Sequence, residues 1–199
     1  MKFSKLITAA AIGAFVFAGQ MAVSDGHAKG WTLDGENSKL AFGSIKKNTV
    51  GEVHSFEAIS GSVSGDGLAE IKIDLTSLET FIDIRNERMM EFVFGGTAKA
   101  TLTATLDMEE VNALSVGDMA VLDVEGALAF LGATVEIETE MFVARMSETK
   151  VLVTTNDMIF VSTEDLGVSA GIDKLMELAK LPGITRTIPV TIRFVFDQK

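Results

Sequence analysis

The chain has no cysteine in 199 residues. A disulfide framework, a lipoprotein anchor and thiol catalysis are excluded, while an oxidising compartment stays compatible with the sequence. Histidine is almost missing as well: only His27 and His54 occur, too few to build a histidine-rich metal site. There is no tyrosine and one tryptophan, against 13 phenylalanines and 10 methionines. Rings without hydroxyls, together with adaptable thioethers, suit a packed core or a cavity that offers shape and dispersion but few hydrogen bonds. No glycine-rich phosphate loop is followed by lysine and a hydroxyl, and no Gly-x-Ser-x-Gly elbow is found. Cations are scarce too. With 17 Lys+Arg against 28 Asp+Glu, nucleic acid is not an expected partner, and an anionic membrane surface is disfavoured on net charge.

What is present begins with a leader. Lys2 and Lys5 precede an apolar run from Leu6 to Ala18 and then small residues, the pattern of a secretory signal peptide. The run falls short of the roughly 20 residues a spanning helix needs. Small-x-small sites end at Ser24 and at Ala28, so a signal peptide over 1–24, with cleavage as late as 28, leaves one mature domain over 29–199. Loss of residues 1–24 takes the net charge from −11 to about −13. The expected location is the periplasm, with no stable membrane insertion after cleavage.

Period-two patterning dominates the mature chain. Ile71, Ile73 and Leu75 alternate with Lys72 and Asp74; Leu102, Ala104 and Leu106 alternate with threonines; Val135, Ile137 and Met141 lie opposite Glu136, Glu138 and Glu140. Ile188, Val190, Ile192, Phe194 and Phe196 share a face in the last segment. These are half-buried antiparallel strands, punctuated by turn signals at 64–67, 94–96 and Gly117-Asp118. The expected fold is all-β dominated, a barrel or strongly curved sheet with one or two short helices. Charged outer faces argue against an integral outer-membrane barrel, whose exterior is apolar. The three glutamates of 136–140 read as a solvated strand face rather than a cation site.

Two segments break the pattern. In GIDKLMELAKLPG, Ile172, Leu175, Met176 and Ala179 fall at helical spacing before the stop at Pro182-Gly183. Such a helix covers a barrel end or packs on the outer wall; a mobile lid over a ligand is the sharper alternative. The second segment, DIRNERMMEFVF over 83–94, sets charged groups beside methionine and phenylalanine. A short helix or irregular crossing is expected, with Asp83 paired to Arg85 or Arg88 as a plug at a barrel end. The arginines could equally meet a polar headgroup while Met89, Met90, Phe92 and Phe94 line a passage below. His54 reads as a structural or ligand-contacting residue, since Ser55 beside it points to the opposite face of a strand.

Five stretches in order, WTLDGENSKLAFGSIK (31–46), VHSFEAISGSVS (53–64), LTSLETFIDIRNERMM (75–90), GALAFLGATVEI (126–137) and FVSTEDLGV (160–168), resemble the YceI-like, polyisoprenoid-binding proteins. Trp31, Asp34, Ser38 and Phe42 match the family's opening, Phe56 and Gly61 its next strand, Arg85 and Asn86 its Arg-Asp/Asn element, and Gly132, Asp165 and Gly167 its later turns. The resemblance implies an extended lipocalin-like antiparallel barrel over essentially the whole mature chain. It also implies an interior holding an isoprenoid chain, such as the tail of a quinone or a prenyl lipid, and no known catalysis. Where the family often has polar groups, this chain has Arg88, Met90 and Leu131, so headgroup identity does not carry over.

The candidate ligand-contacting set is Phe42, His54, Phe56, Asp83, Arg85, Asn86, Arg88, Met89, Phe92, Phe94 and Phe130. No catalytic or metal residues are assigned, and the expected partner is an isoprenoid lipid. A scaffold without lipid, acting in stress or protein interaction, is the alternative function. A lipid-modifying enzyme would need a titrating pair in the lumen, for which His54 with Asp83 is the nominee. A sheet edge or the helix at 172–181 leaves room for a homodimer, which nothing demands.

Overall fold

The computed structural model describes residues 29–198, and the expected leader at 1–24 lies outside them. Twelve strands follow in order: β1 (Trp31–Leu33), β2 (Lys39–Lys46), β3 (Val50–Phe56), β4 (Ile59–Val63), β5 (Leu68–Asp74), β6 (Leu78–Glu79), β7 (Lys99–Thr105), β8 (Met119–Phe130), β9 (Ala133–Ser147), β10 (Lys150–Thr155), β11 (Ile159–Ser162) and β12 (Thr187–Gln198). All pairings among these strands are antiparallel, and the ring β1-β4-β5-β7-β8-β9-β10-β12 closes through β12 back onto β1. This is the expected lipocalin-like barrel, with eight strands in the closed ring and additional strands beyond it.

The additional strands lengthen the barrel instead of widening it. The C-terminal half of β12 pairs with β1 and β10, and its N-terminal half with β2 and β11. Short breaks at 34–38 and 57–58 therefore separate the lower and upper legs of what are in effect single long strands. Above the ring, β2 and β3 continue as a hairpin from Leu40↔Phe56 to Lys46↔Val50.

Period-two alternation decides what faces inward. Across three neighbouring strands, Leu102 opposes Leu128, Gly126 opposes Ile137, and Leu122 opposes Met141, a register that carries one apolar face around the wall. The outward Glu136, Glu138 and Glu140 are exposed, as the alternation predicts. The long β8–β9 hairpin turns through Leu131 and Gly132, both at positive φ (51° and 87°), the backbone that tight two-residue hairpin turns favour.

Among the described residues three α-helices interrupt the sheet, α1 (Asp83–Arg88), α2 (Met108–Ala113) and α3 (Ser169–Ala179), beside a 3-10 turn at Leu75–Ser77. A single π-helical stretch, Met89–Val93, continues α1, with Phe94 N–H donating to the Met89 carbonyl at 2.9 Å. The helix expected at 172–181 thus starts three residues earlier, and the irregular crossing expected at 83–94 is an α-turn running into a π-turn. α2 has no counterpart among the helices expected from spacing. It is a turn and a half long, with Asp107 capping it by accepting from Glu109 N–H at 2.8 Å. Its buried Val111 turns toward the lower end of the barrel.

Candidate functional site

The barrel encloses an elongated cavity of about 440 Å³, within the range of small-molecule sites. Its wall is overwhelmingly aliphatic and aromatic, supplied by the inward faces of β2, β3, β7, β8, β9, β11 and β12. Below lies a second chamber of about 100 Å³, lined only by apolar side chains that include Trp31, Val111, Phe194 and Phe196. The chambers share Leu102, Ala104, Val124, Met141 and Ile192, which form the waist between them.

An aromatic strip runs along the upper wall. His54 meets Phe42 edge to face at 5.2 Å, Phe42 stacks on Phe56 at 5.4 Å, Phe56 approaches Phe94 at 6.0 Å, and Phe94 meets Phe130 at 5.9 Å. All five belong to the candidate set, and all five line the cavity. Met89, Arg85 and Arg88 line it as well.

Three candidates do not. Asp83 is exposed on the first turn of α1 and forms no ion pair among the described residues. Arg85 reaches away from it, to Glu52 Oε2 at 2.6 Å and the Thr80 carbonyl at 2.5 Å. The expected plug of Asp83 with Arg85 or Arg88 is therefore replaced by a bridge from α1 to β3. The nominated His54–Asp83 pair is not formed either; the charged neighbours of His54 are Arg85, Glu52 and Lys46. Asn86 lies off the wall, accepting from the backbone N–H and hydroxyl of buried Thr80 and so fixing the turn before α1. Phe92 is expected from sequence to face inward, but the π-turn shifts the spacing, so that Met89, Val93 and Phe94 share the cavity face and Phe92 does not.

Polar groups gather at the upper end. Ser44, Lys46 and Glu52 occupy the inward phase of β2 and β3, in step with Phe42 and His54. Alternation alone would have found them, but polar side chains at a strand end read as solvated. Lys46 and Arg85 both bridge Glu52 at 2.6 Å. Burial would raise the Glu52 pKa, but the hydrogen bonds from Arg85 and Lys46 outweigh it and hold the carboxyl below its usual range. His54 is only 3% exposed, and its Nε2 lies 3.2 Å from Ser44 Oγ. Burial and the positive charges of Arg85 and Lys46, partly offset by Glu52, push its pKa down to about 4, so the ring is neutral at pH 7. His54 Nδ1 and Arg85 Nε are buried without a protein partner.

α3 completes the upper wall. Ile172, Leu175 and Ala179 line the cavity, as their spacing anticipates. The helix sits directly on the π-turn, where a Cβ on Gly171 would meet the Phe92 carbonyl oxygen and lie 2.8 Å from Val93 Cα. Arg186 ties down its start, donating to the Ser169 carbonyl at 2.9 Å and to the Asp173 carboxylate. Among the described residues, no three His, Cys, Asp or Glu side chains converge as a metal site.

Fold and cavity together define a lipocalin-like barrel with an apolar lumen and a polar upper end. The YceI-like domain family matches residues 31–196, and the chain belongs to that family. It is similar to the solved structure of a polyisoprenoid binding domain from Saccharophagus degradans implicated in plant cell wall breakdown. The two are 35% identical, covering 85% of this chain and 98% of that one, with a TM-score of 0.83. BcnA from Burkholderia cenocepacia shares the fold at 17% identity and a TM-score of 0.62, over 82% of this chain and 98% of its own. Among curated proteins no match is found.

Proposed function

We propose that the protein is a non-catalytic carrier or reservoir of a long isoprenoid lipid, of quinone or prenyl type, acting in the periplasm after removal of its leader. The observation that carries this reading is the two-chamber, predominantly apolar lumen whose charged groups all lie at its upper end. A packed scaffold would fill that volume with side chains, whereas a branched apolar chain fits it without needing hydrogen bonds. Burying on the order of ten methylene-sized groups would contribute about 8 kcal/mol before ordering losses. Similarity to a polyisoprenoid binding domain supports the same cargo.

The headgroup end is where the wall offers hydrogen bonds. Ser44, Lys46, His54 and Arg85 are hydrogen-bonding side chains that line this end. They suit an oxygen acceptor such as a quinone carbonyl. The test is native mass spectrometry of protein purified from its own periplasm, followed by organic extraction. A stoichiometric isoprenoid is expected. Protein that is reproducibly bare and takes up neither added quinone nor prenyl lipid would overturn the reading in favour of a scaffold.

A further inference from the structure

The lower outer wall of β8, β9 and β10 carries apolar side chains where strand alternation calls for polar ones. Leu122 on β8, Met141 and Val143 on β9, and Val151 and Val153 on β10 line the lower chamber, so the residues in the opposite phase point outward. Those are Met119 and Val121, Phe142 and Ala144, and Leu152. Register sets Met119 opposite Ala144, Val121 opposite Phe142, and Ala144 opposite Leu152, which joins them in one patch across three strands. Met146 adjoins it where β9 shifts register against β10. Met119, Val121 and Met146 are 62%, 49% and 54% exposed. The patch extends roughly 10 Å across the strands and about 14 Å along β9. Contiguous exposed apolar surface of this kind marks an interaction site, and methionines let such a surface adapt to a partner.

Directly above the patch the same outward phase turns acidic. Asp123 opposes Glu140, Glu125 opposes Glu138, Glu136 follows one step further, and all five are exposed. Like charges directly opposite each other weaken a ladder. None of the five forms a salt bridge among the described residues. The flanking strands offer no relief, because the outward positions beside this ladder are Thr103 and Thr105 on β7 and Thr154 on β10. Cations further round the sheet are engaged or distant: Lys150, at the far end of β10, bridges Asp34 and Asp197; Lys72 on β5 pairs with Glu70; Arg193 on β12 lies beyond β10. A wall serving solubility alone would intersperse the two signs.

We infer that this face, apolar below and anionic above, docks a partner protein through a cationic amphipathic segment. The segment's apolar side chains cover the patch, and its lysines or arginines meet the carboxylate ladder and lift its repulsion. Charge selects this occupant over the others. An anionic bilayer is repelled by the ladder. A second copy, related by a two-fold on the patch, sets the ladder against its own equivalent or against exposed Asp118 and Glu148 at the foot of the other copy's patch. None of the side chains on this face lines either chamber, so a docked partner leaves the lumen untouched, and the inference does not depend on what the lumen holds.

The probe is a synthetic helical peptide of leucine and lysine with its leucines on one face, compared with a counterpart in which glutamate replaces lysine. Calorimetric titration gives the affinity, and NMR of labelled protein gives the site. The lysine peptide is expected to bind, more weakly as salt rises, and to shift amides within 119–125 and 136–146, while the glutamate peptide does not bind. Asp123→Asn with Glu138→Gln removes one acid from each opposed pair. It should weaken the lysine peptide about tenfold, as two exposed ion pairs at the upper end of their usual range would. Its thermal midpoint should rise, because the repulsion across the ladder is relieved. Met119→Thr with Val121→Thr keeps β-forming residues on the surface and should also weaken binding, with the midpoint unchanged. Equal affinity for the two peptides, amide shifts confined to the lumen or its upper end, or undiminished binding by both variants would each overturn the inference. So would a midpoint that falls when the carboxylates are neutralised, or a dimer in sedimentation that the threonine variant dissolves.

Discussion

His54 is neutral because the barrel makes its charged form expensive, and the sign of the consequence follows. Its pKa falls from 6.5 in the unfolded chain to about 4 in the fold, so the folded state resists a proton that the unfolded state accepts. Stability associated with neutral His54 is fully present above pH 6.5 and declines as the pH drops toward 4. Between pH 7 and pH 4.5 the loss should be roughly 2 kcal/mol. Urea titrations at the two pH values would measure it, and His54→Gln should remove that part of the pH dependence. Glu52 responds differently, because its substitution strands two cations. Glu52→Gln leaves Lys46 and Arg85, both partly buried, without their shared carboxylate, and should lower stability by about 2 kcal/mol in the same titration. At this scale much of the aromatic strip was legible, Phe42 and Phe56 from the family resemblance and Phe94 from its place in the charged and apolar segment at 83–94. The ion pair was not. Glu52 stands 33 residues from Arg85, and nothing local distinguishes it from the nearer Asp83.

The cap of the barrel depends on two irregular elements fitting closely. The π-turn sets Met89, Val93 and Phe94 on the cavity, and α3 rests on its back with Gly171 against the Phe92 carbonyl and Val93 Cα. Gly171 has no positive φ to demand glycine; close backbone approach alone demands it. Gly171→Ala must part the helix from the turn, at a cost of about 2 kcal/mol typical of overpacking. For a domain of this size that corresponds to a fall in thermal midpoint of roughly 4–8 °C. Calorimetry would check it, and faster loss of bound lipid in a release assay should accompany it, because the displaced helix carries Ile172 and Leu175 off the wall. Strand phases and α3 could be read from apolar spacing. The π-turn could not, because one extra residue in a turn leaves no mark in composition. α2 escaped for a related reason: its six residues hold too few apolar positions to show a period, although Asp107 followed by Glu109 and Glu110 is a helix-start signature.

Taken whole, the molecule is a tube with a polar mouth, a wide upper chamber and a narrow lower one, and under the proposed carrier function that arrangement would make it a ruler for tail length. On that proposal a headgroup held near His54 and Arg85 would fix one end of the ligand, and the depth available below would decide how many isoprene units are buried. The closed barrel was legible from strand patterning and family resemblance together. Its division in two was not, because the waist is made by Leu102, Ala104, Val124, Met141 and Ile192, ordinary core residues contributed by four different strands. Ala104 is the smallest of them and lines both chambers, and its cross-strand partners Ala69 and Gly126 are small enough not to clash with a larger side chain projecting into the lumen there. Ala104→Phe should therefore close the passage to the lower chamber without unseating a strand. Short prenyl chains that end in the upper chamber should bind as before. Longer chains should lose the contribution of each unit excluded from below, at about 0.8 kcal/mol per methylene-sized group. Competition among prenyl alcohols of graded length would show this as a shift of the preferred length downward. If preference is unchanged, the tail does not pass the waist, and the lower chamber belongs to the packing of the barrel instead of to its cargo.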